Sequence, residues 1–387
     1  MQPSPPFTWL YNPPRPFTWG FVARVVIKTA ILFAALNVAF ALLAPLPALG
    51  RLSAYNLVLP GRARLPYGEN PAESYNLSLY NIPAMLASHQ LAGAGDGAFR
   101  VLLVGDSSVW GILLRPDDTL AGQINRRGLR AADGRPVRAY NLGYPTMSLL
   151  KDLTLLDAAL DRERPDLIVW LVTLESFARR DQLDSAILQN NPAPVRDLIR
   201  RYDLAQNPDD PRFVEPDFWG ETIVGRRRDL ADLLRLQLYG VAWALTGVDQ
   251  AYGDYTPRAV DLRADETWRG FAPGELERDD LAFDILHAGI ARAGDVPVIL
   301  VNEPIFISQG ANSDLRYNAF YPRWAYDAYR AWLADEARAA GWTLLDLWDA
   351  LPDAACYTDS PVHLTPDCSA ALAERLALQE PRAAKGS

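Results

Sequence analysis

Histidine and cysteine are scarce in this chain. Its 387 residues hold three histidines (His89, His287, His363) and two cysteines (Cys356, Cys368). No zinc-type spacing of ligands can be assembled from so few, so neither a metal site nor a cofactor is expected. Basic runs are equally short, the one block being Arg226-Arg227-Arg228, and the formal net charge is −9. Phosphate backbones are bound by clustered cations, so a nucleic-acid partner is excluded. What the chain does have is apolar residues, 49% of the total. That is enough to bury a large core, and one elaborated domain with appendages is the expected organisation.

Charge is missing altogether from Thr29 to Leu49, where Asn37 is the one mid-span amide. A run of this length reaches across a bilayer, which needs ~20 residues. Arg15, Arg24 and Lys28 precede it. Positive charge before the span places residues 1–20 in the cytoplasm, residues 21–49 as a single-pass anchor in the cell membrane, and everything after Arg51 outside. A cleaved signal peptide is the competing reading, since Ala39-Phe40-Ala41 offers small residues to a peptidase. The apolar run continues past that site and the leader is long, which favours an uncleaved anchor. Residues 50–99 are rich in Asn, Pro, Tyr and Gly and read as a juxtamembrane linker with one short helix near Ala84–Leu91. His89 lies in that helix as a packed or surface residue.

Beyond residue 100, near-continuous apolar runs alternate with helical patterns. "RVLLVGD", "VRAYNLG", "LIVWLVTL", "VPVILVN" and "WTLLDLW" have the composition of strands covered on both faces. Helical stretches at Leu120–Leu129, Ser148–Arg162, Leu276–Ala293, Arg323–Ala340 and Thr365–Leu378 separate or follow them. Alternation of this kind predicts an α/β fold of three layers, with a parallel sheet between helices, preceded by the one transmembrane helix. Ligands of such sheets bind beyond the carboxyl ends of the strands.

One strand end stands out. "VLLVGDSSVWG" (residues 101–111) runs from a buried strand into Gly105-Asp106-Ser107. A serine there presents its hydroxyl at the sheet edge beside backbone N–H groups, as a nucleophile requires. By itself the triplet equally describes a helix cap. The far end of the chain adds "CYTDSPVHLTPDCSAALAERLA" (residues 356–377), in which a loop holds His363 four residues after Asp359. A nucleophilic serine needs such a base, and the base needs an orienting acid.

These blocks resemble the SGNH, or GDSL-like, hydrolase family in its membrane-anchored bacterial form. In that family a Gly-Asp-Ser block after the first strand carries the nucleophile, and a late Asp-x-x-His block before the last helix carries the base. The resemblance covers residues 100–176 and 295–378 and implies a catalytic set of Ser107, His363 and Asp359. It also implies an oxyanion hole built from Ser107 and from Gly143 in "YNLGYPTMS". Two positions depart from the family pattern. The third block normally supplies an asparagine, and "VTLESF" has Glu175 there; an ionised carboxylate cannot donate to an oxyanion. The two-residue spacing before His363 lands on Ser360, and Asp359 is one residue further away; the alternative to the triad is a Ser107–His363 dyad. Asp106, Glu175 and Asn302, the last in "LVNEPIFIS" with Glu303, are placed at the sheet edge as pocket residues, and His287 is taken as structural.

The α/β domain is thus expected over 100–380, with an insertion at about 177–295. Placed at the carboxyl edge, an insertion with several Trp and Arg residues forms a lid and shapes a groove; the alternative is a surface elaboration with no part in binding substrate. Its middle run, Glu221–Leu245, reads as an amphipathic helix, because Asp232, Arg235 and Gln237 oppose a second span. The resemblance implies a serine esterase or O-acyltransferase acting outside the cytoplasm on acyl esters of envelope glycans or lipids, with a membrane-bound O-acyltransferase as partner. The alternative is a catalytically weak module of the same family that binds glycan or scaffolds an acylation complex. Cys356 and Cys368 flank His363; outside the cytoplasm they form a bridge around the base, and otherwise they pack as two small apolar thiols.

Overall fold

The structure, a computed structural model, describes residues 18–58, 61–67, 79–93, 95, 97–246 and 254–377. The expected cytoplasmic segment 1–20 therefore lies outside the described residues except for 18–20. The chain divides into two compact units, Met1–Leu46 with Pro216–Leu230, and Pro47–Glu215 with Ala231–Ser387.

In the first unit, helix α1 (Trp19–Leu43) starts at Thr18, whose hydroxyl accepts from the Phe21 N–H at 3.2 Å. It is long and apolar enough to cross a membrane, and Asn37 is its one buried residue. The helix stops six residues short of the expected Leu49. Ala44 adopts a left-handed conformation (φ 40°), and the Pro45 ring disfavours a helical residue before it and brings no N–H. Leu46–Leu49 forms a separate turn.

The second unit begins with residues of the expected linker, and part of what is described there packs into it, including Tyr55, Leu65 and Ile82–Ser88. Helix α2 (Ile82–Ser88) is capped by Asn81 and buried along most of its length. Arg64 is buried and donates to the carbonyls of Gly111 at 2.8 Å and Leu114 at 3.2 Å. Then come β1 (Phe99–Val104), α3 (Ser107–Trp110), α4 (Leu120–Arg126), β2 (Val137–Asn141), α5 (Leu149–Leu160) and β3 (Leu167–Val172). The insertion contributes α6 (Pro192–Arg201) and α7 (Arg227–Thr246). The chain closes with α8 (Phe283–Ala293), β4 (Val298–Asn302), α9 (Arg323–Ala340), β5 (Thr343–Asp346) and α10 (Pro366–Ala377).

All five expected strands form one parallel sheet in the order β2-β1-β3-β4-β5. Val101, Leu103, Val169, Leu171 and Val301 share a core with Leu120, Ala121 and Ile124 of α4 and Leu372 and Ala373 of α10. Trp170 lies against Gly289 of α8, so close that a Cβ on that glycine would sit 2.2 Å from the ring. The sheet is therefore covered on both faces, which is why its strands read as unbroken apolar runs. The helix expected from Leu276 begins only at Phe283, because Glu277 and Asp280 cap a separate short turn before it.

Candidate active site

The turn that carries Ser107 depends on Gly105. Gly105 has φ 155°, and a Cβ there would meet Val109 Cγ2 at 2.7 Å and the Leu171 carbonyl at 3.1 Å, so the strand can turn sharply into α3 only without a side chain. Asp106 caps that helix, its carboxylate accepting from the Ser108 N–H at 2.8 Å, and it is buried rather than open to a pocket. Ser107 follows as the first helical residue, half-buried at the carboxyl end of the sheet.

The structure brings Ser107 to His363 and Asp359, which lie more than 250 residues further along the chain. Ser107 Oγ is 2.8 Å from His363 Nε2, and His363 Nδ1 is 2.8 Å from Asp359 Oδ1. An ionised Asp359 only accepts, which places the ring proton on Nδ1 and leaves Nε2 to accept from the serine hydroxyl. Burial alone would raise the Asp359 carboxyl. The hydrogen bond and charge of His363 and the Thr358 hydroxyl outweigh it, and its pKa falls below the ordinary value.

His363 is held by its own loop. Thr358 N–H donates to the His363 carbonyl at 2.9 Å, and Thr365 N–H donates to the Cys356 carbonyl at 2.8 Å. Cys356 and Cys368 are bridged across this loop, with Cα atoms 5.3 Å apart. The insertion adds a clamp: Arg258 donates to the carbonyls of Tyr357 and Ala354, and its N–H donates to the Thr358 carbonyl at 3.0 Å.

Three sequence expectations are changed by the geometry. Gly143 is not an available oxyanion donor, because its N–H donates to Asn141 Oδ1 at 2.9 Å. That amide also donates to the Val109 carbonyl at 2.7 Å, tying β2 to α3. Gly143 is needed instead for close approach, since a Cβ there would lie 2.4 Å from the Trp110 nitrogen. Among the described residues nothing accepts from the Ser107 N–H.

Asn302, expected at a pocket, is fully buried. Its Nδ2 donates to Asp346 Oδ1 at 2.7 Å and its Oδ1 accepts from Tyr329 Oη at 3.2 Å, so it fastens β4 to β5 and α9. Glu175 is no free carboxylate facing an oxyanion. Arg269 from the insertion donates to its Oε2 through Nε at 2.8 Å and Nη2 at 2.6 Å. Burial still pushes Glu175 above its ordinary pKa, and Arg269 opposes that rise.

Sequence reasoning missed the buried Lys151–Asp152 pair beneath the Gly105–Ser107 turn. Lys151 is fully buried on α5 and donates to the Gly105 carbonyl at 2.8 Å and the Tyr144 carbonyl at 3.0 Å, while pairing with Asp152. Asp152 also accepts from Trp170 Nε1 at 3.1 Å. Glu303 is buried and accepts from the Ser108 hydroxyl. Burial, then the nearby charge of Asp106, drives its pKa well above the ordinary value. Adjacent Lys-Asp on an amphipathic helix carries the pattern of a solvated face, and no local signal marks it as buried. Among the described residues no cluster of His, Cys, Asp and Glu could hold a metal ion.

The sequence matches no protein-family model and no curated protein. Among solved structures, the chain is similar to a lipolytic protein of the G-D-S-L family from Desulfitobacterium hafniense DCB-2, at 10% identity and a TM-score of 0.33, covering 72% of this chain and 98% of that one. An aryl esterase from M. smegmatis matches at 14% identity and a TM-score of 0.33, covering 73% and 98%. A carbohydrate acetylesterase family member from Sinorhizobium meliloti gives 14% identity and a TM-score of 0.33, covering 72% and 95%. At this level of similarity the chemistry of the chain has to be read from its own residues.

Proposed function

We propose that this protein is a membrane-anchored serine esterase or O-acyltransferase of the SGNH type, with its α/β domain outside the cytoplasm and an acyl ester of an envelope glycan or lipid as substrate. The observation that carries the reading is the hydrogen-bonded series Ser107, His363, Asp359 at the carboxyl edge of the sheet. Ser107 Oγ attacks the acyl carbonyl carbon while its proton passes to His363 Nε2. The Ser107 N–H faces the developing oxyanion at the start of α3. Collapse of the tetrahedral intermediate breaks the ester bond, and His363 returns the proton to the departing alkoxide. Water or a sugar hydroxyl then takes the acyl group from Ser107 by the reverse sequence.

The test is covalent labelling of the detergent-solubilised full chain by a fluorophosphonate, together with turnover of short- and long-chain aryl esters. Wild type is expected to label and to turn over ester. Ser107→Ala should lose the label and at least ~10³-fold in kcat, as removal of a nucleophile does elsewhere. Full activity in that variant would refute the assignment.

A second reading, a glycan-binding or scaffolding module with weak catalysis, is favoured by one observation: the Gly143 N–H is already engaged by Asn141, which leaves the hole a donor short. Labelling of Ser107 without turnover of any ester would select it.

A further inference from the structure

We infer that the segment Pro216–Arg228 is a second membrane contact, seated in the lipid interface beside α1 through a hydrogen bond between Val224 and Asn37. The inference rests on the reading of α1 as a membrane anchor. Asn37 is the one amide in the apolar run, and a side chain of that kind in hydrocarbon has to find partners. It does: its Nδ2 donates to the Phe33 carbonyl at 2.9 Å, and its Oδ1 accepts from the Val224 N–H at 3.2 Å. Asn37 stands six residues before Leu43, about 9 Å below the helix end at 1.5 Å rise per residue. That depth matches the ~5–10 Å to which interfacial segments bury their apolar faces.

The segment is built for such a place. Its backbone needs little water: the N–H groups of Gly220, Glu221, Thr222, Gly225 and Arg226 all donate within the segment. It exposes large apolar side chains, Trp219 70%, Val224 48% and Phe218 43%, beside the charged Asp217, and Phe218 and Trp219 pack edge to face with ring centres 5.4 Å apart. Exposed tryptophan beside a spanning helix is the composition of the interfacial aromatic belt. The arginine block follows directly. Arg226 is neutralised by Glu221 and Asp229, whereas Arg227 and Arg228 are exposed and suited to phosphate headgroups.

Nitroxide labels on the full chain test this. The two native cysteines are bonded to each other, so Trp219→Cys and, on an exposed turn of the α/β unit, Asp133→Cys each give one reactive thiol. In vesicles of phosphatidylcholine and phosphatidylglycerol, the label at 219 should collide with oxygen several-fold more readily than with a water-soluble nickel chelate, and the label at 133 should show the reverse. If 219 matches 133 while carbonate washing leaves the chain in the vesicles, the anchor stands and the second contact is refuted. A label at 219 shielded from both reagents means a protein covers the patch, which also overturns it. A chain that carbonate removes refutes the anchor and this inference together.

Discussion

Glu175 shows how one side chain changes meaning once its partner is known. As a lone carboxylate in an oxyanion hole it would repel developing charge, and Glu175→Gln would speed the reaction. Paired with Arg269, the carboxylate anchors the insertion to the end of β3. Glu175→Gln is therefore expected to leave kcat within a few-fold of wild type. It should lower the unfolding free energy by ~1–2 kcal/mol, below the figure for a fully buried pair because Arg269 is 43% exposed. Urea unfolding and ester kinetics on the same preparation check both parts, and a clear gain in kcat would return Glu175 to the oxyanion hole. Glu303, close by, has no cation at its carboxylate among the described residues: burial and the charge of Asp106 push its pKa well above the ordinary value, and it accepts from the Ser108 hydroxyl next to Ser107.

At the scale of the element, the loop from β5 to α10 decides whether His363 faces Ser107. The disulfide is one of several ties, beside the Thr358–His363 and Thr365–Cys356 backbone bonds and the Arg258 clamp. A loop of this length constrains the unfolded chain by ~3 kcal/mol in the entropy model. Replacing both cysteines by serine should cost stability of that order. It should lower kcat by less than ~10-fold, or about 1.4 kcal/mol in the barrier, with KM unchanged, because the remaining ties still orient the base. Arg258→Ala made in the double-serine background should then lower kcat further. Loss of all turnover in the double-serine chain alone would mean that the disulfide is the only effective tie.

For the whole molecule, stability should carry the mark of His89. It is fully buried, with Nε2 3.3 Å from the Ala63 carbonyl and Nδ1 accepting from the Leu91 N–H at 3.1 Å. Burial is the main cause that lowers its pKa from 6.5 to about 4. The unfolded chain binds the proton first as pH falls below its ordinary value. Stability present above that value is thus lost between about pH 6.5 and 4, by roughly 3 kcal/mol. Asp152 works in the opposite sense, since burial, against the charge of Lys151, raises it to about 6. Its raised pKa takes stability away as pH rises through that value. The difference between wild type and His89→Gln isolates the histidine: urea midpoints from pH 7 to 4 should fall more steeply in wild type. Parallel curves would show that His89 is not held neutral in the fold.

Local pattern by itself determined the five strands, the apolar helix, and the Gly105-Asp106-Ser107 turn. Periodicity, strand composition and the need for a side-chain-free residue at a sharp turn are properties of neighbouring residues. The same holds for His363 with Asp359, four residues apart on one loop. Only the tertiary structure decided which polar groups are occupied. Asn141 takes the N–H of Gly143, Arg269 pairs with Glu175, Asn302 is tied to Asp346 of β5, and Lys151 lies buried beneath the Gly105–Ser107 turn instead of in solvent. It also carried α1 only to Leu43 and packed Ile82–Ser88 of the expected linker into the α/β unit. Hydrogen bonds join residues as far as 256 positions apart, as in Ser107 and His363. Because an N–H or a carboxylate can serve a ligand only when no neighbour in space holds it, availability is a property of the folded chain.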